Sequence, residues 1–332
     1  MTPTVLVTAT EHVKGGAVFA ERPDFTFLPA PADEAGLAEA VLRHDSQAVV
    51  IGAKRYAGPL YAALARAARG RGALLARFGV GHDGVDKAQA RDLGILVANT
   101  PGTLDASVAE HAFWLIGCLT RHVADLHGRF RAGEWAATQG SELAGRTLGL
   151  LGSGPIAQRV AAIARFGFGM RVIASGRRPA AALEAASGRT LAALGIDHYT
   201  QSIDEVLQTA DIVSLHLPAT PETRRLIDGP RLARMRPGAL FINTGRGALV
   251  DETALHRALS AGALGGAGLD VFEQEPYQPA DPAHDLRQLS NVVLTPHVAS
   301  NTVQANRRMA EACVANLGHF FAGRIPAMTC VR

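Results

Sequence analysis

Thr147-Leu148-Gly149-Leu150-Leu151 runs without a break into Gly152-Ser153-Gly154-Pro155-Ile156-Ala157. An apolar strand is followed by a glycine-rich turn and the start of an alanine-rich helix. Glycine allows the tight turn and lets a phosphate approach the backbone, and the helix N-terminus behind it favours negative charge. Pro155 suits the first helical turn, where its missing N–H costs little. Alone, the pattern is an ordinary strand-to-helix turn. With a further strand at 171–175, it predicts the dinucleotide-binding half of a doubly wound α/β sheet, with Gly152, Ser153, Gly154, Pro155 and Ile156 along the cofactor.

Outward from this turn, short apolar runs alternate with helical patterns at 147–151, 171–175, 211–216, 239–243, 268–272 and 291–295. These read as six parallel strands. Arg246, Glu275 and His297 each come just after one of the last three. Parallel strands bring the residues beyond their carboxyl ends to one sheet edge, so a dinucleotide lying there would meet all three side chains. That arrangement points to a dehydrogenase. The second strand ends in Ser175-Gly176-Arg177-Arg178, where an NAD enzyme would place an acid for the adenosine ribose. Two guanidiniums instead suit the 2'-phosphate of NADP, which is favoured here, with NAD left open.

Before residue 100 a smaller α/β series has strands at 5–8, 48–52, 74–78 and 95–98. Thr100-Pro101-Gly102 interrupts it, and Ser107 with Glu110 predicts a capping box for a helix through Phe113 and Leu119. Phe113 and Trp114 look exposed on that helix and form a candidate interface, the alternative being that they fill the intramolecular core. The helical pattern from Val303 to Phe320 can return to the first series. Residues 1–99 with 300–332 are therefore expected to form one discontinuous domain closing over a nucleotide domain at 100–299.

The chain has 332 residues, 48% of them hydrophobic, enough for two cores. Its net charge of +3 is spread among interspersed acids and bases, which gives no support to nucleic-acid binding. Cys118, Cys313 and Cys330 form no CxxC pair, so no disulfide framework or metal site is expected, and a reduced cytoplasm is the default. No run is long enough to span a bilayer, and the N-terminus does not read as a signal peptide.

Several stretches, in this order, make the chain resemble the D-isomer-specific 2-hydroxyacid dehydrogenase family over essentially its whole length. They are Gly79-Val80-Gly81-His82-Asp83-Gly84-Val85-Asp86, Asn99-Thr100-Pro101-Gly102, Ser107-Val108-Ala109-Glu110 and Asp211-Ile212-Val213-Ser214-Leu215-His216-Leu217-Pro218. The most specific are Ile242-Asn243-Thr244-Gly245-Arg246-Gly247, Gly268-Leu269-Asp270-Val271-Phe272-Glu273-Gln274-Glu275-Pro276 and Thr295-Pro296-His297. The Ser-Gly-Arg-Arg-Pro segment also looks like the NADPH-preferring glyoxylate and hydroxypyruvate reductase branch.

The resemblance implies two Rossmann-like doubly wound domains, a flavodoxin-like substrate domain and a dinucleotide-binding domain. It makes Arg246, Glu275 and His297 the catalytic set, with His297 as proton donor, Glu275 its orienting partner and Arg246 the carboxylate grip. The N–H groups of Val80 and Gly81 would bind the substrate carboxylate. Asp270, Thr244, Gly245, His216, Leu217, Pro218 and Thr223 join Ser175, Gly176, Arg177 and Arg178 along the cofactor. The implied reaction moves hydride between NADPH and a small 2-oxo acid to give the D-hydroxy acid, in a homodimer. NAD-dependent D-lactate or 3-phosphoglycerate chemistry, or a dinucleotide-sensing interaction protein on the same fold, are the alternatives.

Overall fold

A computed structural model describes residues 2–135 and 137–331. Its contacts separate two compact units, Met1–Leu104 with Ser300–Arg332, and Asp105–Ala299. The first unit holds β1 (Thr4–Thr8), β2 (Thr26–Ala30), β3 (Ala48–Ile51), β4 (Ala73–Arg77) and β5 (Ile95–Ala98). The second holds β6 (Thr147–Leu151), β7 (Arg171–Ser175), β8 (His198–Thr200), β9 (Ile212–Leu215), β10 (Leu240–Asn243), β11 (Gly266–Leu269) and β12 (Val292–Leu294).

The first sheet runs β2-β1-β3-β4-β5 and the second β12-β11-β10-β9-β6-β7-β8. Every strand pair is parallel. The α/β class and both doubly wound sheets are as the sequence implies, the first in flavodoxin-like order. Two edge strands were not expected. β2 contains Pro29, which has no N–H to give and is tolerated only at an edge, so the segment does not read as a strand. β8 is three residues, too short for a periodicity, and raises the second sheet from six strands to seven.

In the second sheet the order reverses between β6 and β9, and the crevice at such a reversal is where open α/β sheets bind ligands. The glycine turn follows β6 and His216 follows β9, so both stand at this crevice. From there β10, β11 and β12 pair in sequence, in registers that bring Asn243 opposite Leu269 and Leu269 opposite Leu294.

The helix Asp105–Thr120 covers this end of the sheet. It begins at Asp105, so Ser107 lies inside its first turn and is buried instead of capping it. The chain has already turned before that point, with Thr103 Oγ1 donating to the Thr100 carbonyl at 2.7 Å. Phe113 is likewise no surface residue: it is buried and stacks on Phe168 with ring centroids 5.2 Å apart, while Trp114 stays exposed.

The helix reaches the sheet because β11 is nearly bare. A Cβ on Gly268 would lie 2.9 Å from Leu115 Cβ and 3.1 Å from Ile242 Cδ1, so the glycine admits the helix. Gly268→Val should therefore lower stability by about 1–3 kcal/mol through overpacking, read as a fall in the denaturation midpoint.

Candidate active site

The turn after β6 is built for close backbone approach. Gly152 has φ +111°, and a Cβ there would lie 2.4 Å from the His216 carbonyl oxygen. Gly152 N donates to Ser175 O at 3.1 Å, and His216 N to Leu151 O at 2.8 Å, which ties the turn to both neighbouring strands. Gly154 caps the helix Pro155–Ala162, whose proline stands in the first turn. Ala157 is buried in the core and Ile156 packs against it, the close helix-to-strand packing that a small third residue of the fingerprint allows.

Along the same edge, Thr223 Oγ1 donates to Pro218 O at 2.7 Å and accepts from Thr220 N at 2.8 Å, which folds the segment after His216 into a turn. Ser175 is buried, with its hydroxyl directed at the Leu150 carbonyl. Arg177 and Arg178 are exposed, and the Thr220 hydroxyl, with the Arg177 charge adding to it, holds the Glu222 carboxyl below its ordinary value. Thr244 is buried, and its hydroxyl has no partner among the described residues. An unpartnered hydroxyl after β10 and a glycine cradle at a helix N-terminus after β6, on the same sheet edge, fit a nicotinamide dinucleotide.

The strand ends β10 to β12 hold the candidate catalytic side chains. After β10, Asn243 Oδ1 accepts from Gly245 N at 3.0 Å and its Nδ2 donates to Arg246 O at 2.9 Å, so one buried amide shapes the loop carrying Arg246. Gly247 lies flat on the next loop: a Cβ there would sit 1.8 Å from the Phe272 carbonyl carbon. That loop carries Glu275. Its Oε1 accepts from Phe272 N at 3.1 Å and its Oε2 meets His297 Nδ1 at 2.7 Å. Burial tends to raise this carboxyl, but the His297 bond and charge, the Phe272 N–H and the Arg246 charge together hold it below its ordinary value. Glu275 is therefore ionised at neutral pH and only accepts, so the proton in this bond belongs to His297 Nδ1. Nε2 remains for other chemistry.

His297 has φ +51°, a left-handed conformation uncommon for a side-chain-bearing residue. Asp270 accounts for it. This carboxylate is completely buried and takes N–H bonds from Val298 and Ala299, both at 2.9 Å, and the Thr295 hydroxyl at 2.6 Å. Its carbonyl accepts from His297 N at 2.8 Å. His111, on the covering helix, bonds Thr295 Oγ1 at 3.0 Å and lies 3.5 Å from the Asp270 carboxylate. Sequence reading placed Asp270 against the cofactor; in the fold both its oxygens are engaged by the chain itself. Asn243, Gly247 and Thr295 stand in the quoted stretches but were given no role of their own, and His111 was not singled out.

His216, by contrast, is no proton carrier at neutral pH. Burial pushes its imidazole down to about 4, and Nε2 lies 2.9 Å from Ser214 Oγ.

In the first unit, Val80 O accepts from Asn99 Nδ2 at 2.8 Å and Gly79 O from Thr100 N at 3.1 Å. Gly79, at φ +143°, turns the loop. Among the described residues no acceptor takes the N–H of Val80 or of Gly81. No helix of the described residues is long and apolar enough to cross a membrane.

A family model described as D-isomer specific 2-hydroxyacid dehydrogenase, NAD binding domain, matches residues 113–299. The chain is 41% identical over 261 residues to a glyoxylate reductase of Korarchaeum cryptofilum, covering 76% of this chain and 74% of that one. It is 39% identical over 239 residues to a hydroxypyruvate reductase of Thermotoga maritima, covering 71% and 73%. Among solved structures, an NADPH-dependent glyoxylate/hydroxypyruvate reductase of Sinorhizobium meliloti in complex with NADP and malonate is similar with TM-score 0.80 and 31% identity, over 97% of this chain and 94% of that one. A D-lactate dehydrogenase of Aquifex aeolicus complexed with NAD and lactic acid is similar with TM-score 0.81 and 28% identity, over 97% and 96%.

His216 sets a pH dependence of stability. Its folded value is depressed from 6.5 to about 4, so the unfolded chain takes up a proton that the folded one refuses. Stability is unaffected above pH 6.5 and falls as pH drops through that window, by up to about 3 kcal/mol. His216→Asn should flatten that part of the stability profile, measured by denaturant unfolding at a series of pH values.

Proposed function

As a member of the D-isomer-specific 2-hydroxyacid dehydrogenases, to which the chain belongs, the protein is an NAD(P)-dependent oxidoreductase, and we propose that it reduces small 2-oxo acids of the glyoxylate and hydroxypyruvate type with NADPH, giving the 2-hydroxy acid of D configuration. The observation that carries this reading is the His297–Glu275 pair, 2.7 Å apart, with Arg246 on the neighbouring strand end. A bound nicotinamide dinucleotide supplies the hydride. The rest is done by the chain's own residues.

His297, its Nδ1 proton held by Glu275, places Nε2 to protonate the carbonyl oxygen as negative charge develops there. Glu275 keeps the tautomer and the ring orientation fixed. Arg246, whose Nη1 donates to the Gly245 carbonyl at 2.6 Å, brings a guanidinium charge to this edge that suits a substrate carboxylate. In the first unit, the N–H groups of Val80 and Gly81 have no acceptor among the described residues and can donate to a carboxylate. Gly152, Ser153, Gly154, Pro155 and Ile156 cradle the pyrophosphate, Thr244 and Gly245 lie along the nicotinamide side, and Arg177 with Arg178 receives the 2'-phosphate. Reductases with these substrates among the relatives, one of them NADPH-dependent, support the choice.

We also infer a homodimer. Trp114 is 71% exposed, and the helix Val123–Arg131 beyond it buries none of its residues while leaving Phe130 and Trp135 in the open. Phe130 and Trp135 lie against each other with ring centroids 5.9 Å apart, and exposed apolar surface of this kind marks association sites. Sedimentation equilibrium should give the mass of two chains, and Trp114→Glu should shift it toward one.

Initial rates with glyoxylate and hydroxypyruvate, each with NADPH and with NADH, test the reading. NADPH should give the higher kcat/KM with both acids. A preference for pyruvate would move the assignment to D-lactate chemistry, and tight cofactor binding with no turnover of any 2-oxo acid would favour a sensing protein. His297→Ala should lose about 10²–10⁴-fold in kcat with NADPH affinity retained in a fluorescence titration. Replacing Arg177 and Arg178 together with Ala should weaken NADPH by about 10-fold or more, and NADH little.

A further inference from the structure

Tyr199 stands in the middle of the edge strand β8, in parallel register with Ala174 of β7. Its hydroxyl donates to the Arg178 carbonyl at 3.0 Å and lies 3.3 Å from Ser153 Oγ in the glycine turn. One hydroxyl thus joins the two loops that face a dinucleotide. The neighbouring Gln201 donates from Nε2 to the Arg177 carbonyl at 2.7 Å, and Gly176 N donates to Thr200 O at 3.2 Å. The Gly176–Arg178 loop is therefore fastened to β8 through its backbone, and its two guanidiniums are not spent on holding it.

The same hydroxyl decides what residue 176 can be. A Cβ built on Gly176 would lie 2.2 Å from Tyr199 Oη and 2.7 Å from Ser153 Oγ, so both hydroxyls would have to shift to admit a side chain there. The requirement for glycine here is steric, since Gly176 is not among the residues with positive φ. Position 176, just past the end of β7, is where an acid would project to hold a ribose diol.

We propose that Tyr199 is a positioning residue that sets the cofactor preference. Its hydroxyl occupies the space that a side chain at position 176 needs, which excludes a diol-binding acid. Through the Arg178 carbonyl it also presents Arg177 and Arg178 to a 2'-phosphate. This second role rests on the NADPH reading above, whereas the steric exclusion does not.

The test uses the full chain and fluorescence titration of NADPH and NADH against wild type, Tyr199→Phe, Gly176→Asp, and Gly176→Asp combined with Tyr199→Ala. Tyr199→Phe keeps the ring that packs against the core, so melting temperature should change little. Its NADPH affinity should fall about 5- to 10-fold, the worth of one lost hydrogen bond in a charged subsite, with NADH changed less than about twofold. Gly176→Asp alone should weaken both cofactors. Removing Tyr199 in that background should restore NADH at least tenfold and leave NADPH weak.

An unchanged NADPH-to-NADH ratio in Tyr199→Phe would overturn the presenting role. Equal NADH affinity of Gly176→Asp with and without Tyr199 would overturn the exclusion. Should wild type itself prefer NADH, the NADPH reading and the presenting role fall together, and the Gly176→Asp pair still decides the exclusion.

Discussion

A single buried carboxylate fixes the part of this protein on which the chemistry depends. Asp270 follows β11 and has no exposed surface, so each of its hydrogen bonds is made in a medium that strengthens it and penalises its loss. Its side chain gathers the N–H groups of Val298 and Ala299 and the hydroxyl of Thr295, and its carbonyl takes the N–H of His297. Four groups on the segment after β12 thus converge on one residue after β11. A buried N–H left without an acceptor costs about 1–3 kcal/mol, so this cluster is ample to hold His297 at φ +51°. The left-handed turn aims the imidazole at Glu275.

The neighbouring loops are fixed by close backbone contact. Gly247 lies against the peptide of Phe272 and Glu273 with no room for a side chain, which sets Arg246 beside the loop of Glu275. Arg246 and His297 then both lower the Glu275 carboxyl. The two histidines at strand ends show how environment divides roles. His216 is desolvated, has the Ser214 hydroxyl beside it and stays neutral, whereas His297 faces an ionised carboxylate that orients its proton. Of the two, His297 is the one whose ring is oriented by a carboxylate for proton transfer.

Much of this was legible in the sequence because parallel β/α order is a strong constraint. Once the runs before Arg246, Glu275 and His297 read as strands, the three had to gather on one edge, and the glycine turn before Pro155 fixed where a dinucleotide begins. The features that could not be read depended on contacts across the sheet. Pro29 hides β2, and β8 is too short to show a period, so Tyr199 had no reason to be noticed. Phe113 reads as exposed until Phe168, 55 positions later in the chain, is seen stacked on it. Ser107 and Glu110 match a capping box, yet the helix already starts at Asp105. Asp270 reads as a strand-end acid toward the cofactor, and only the fold reveals how fully the chain itself uses it.

The central claim is that Glu275 acts through His297, and a double-mutant cycle tests it most directly. Steady-state kcat/KM for glyoxylate reduction would be measured for wild type, Glu275→Gln, His297→Ala and the double variant. If the pair works as one unit, Glu275→Gln slows the wild type strongly and adds almost nothing once His297 is gone. Losses that multiply in the double variant would show two independent contributions and contradict the account.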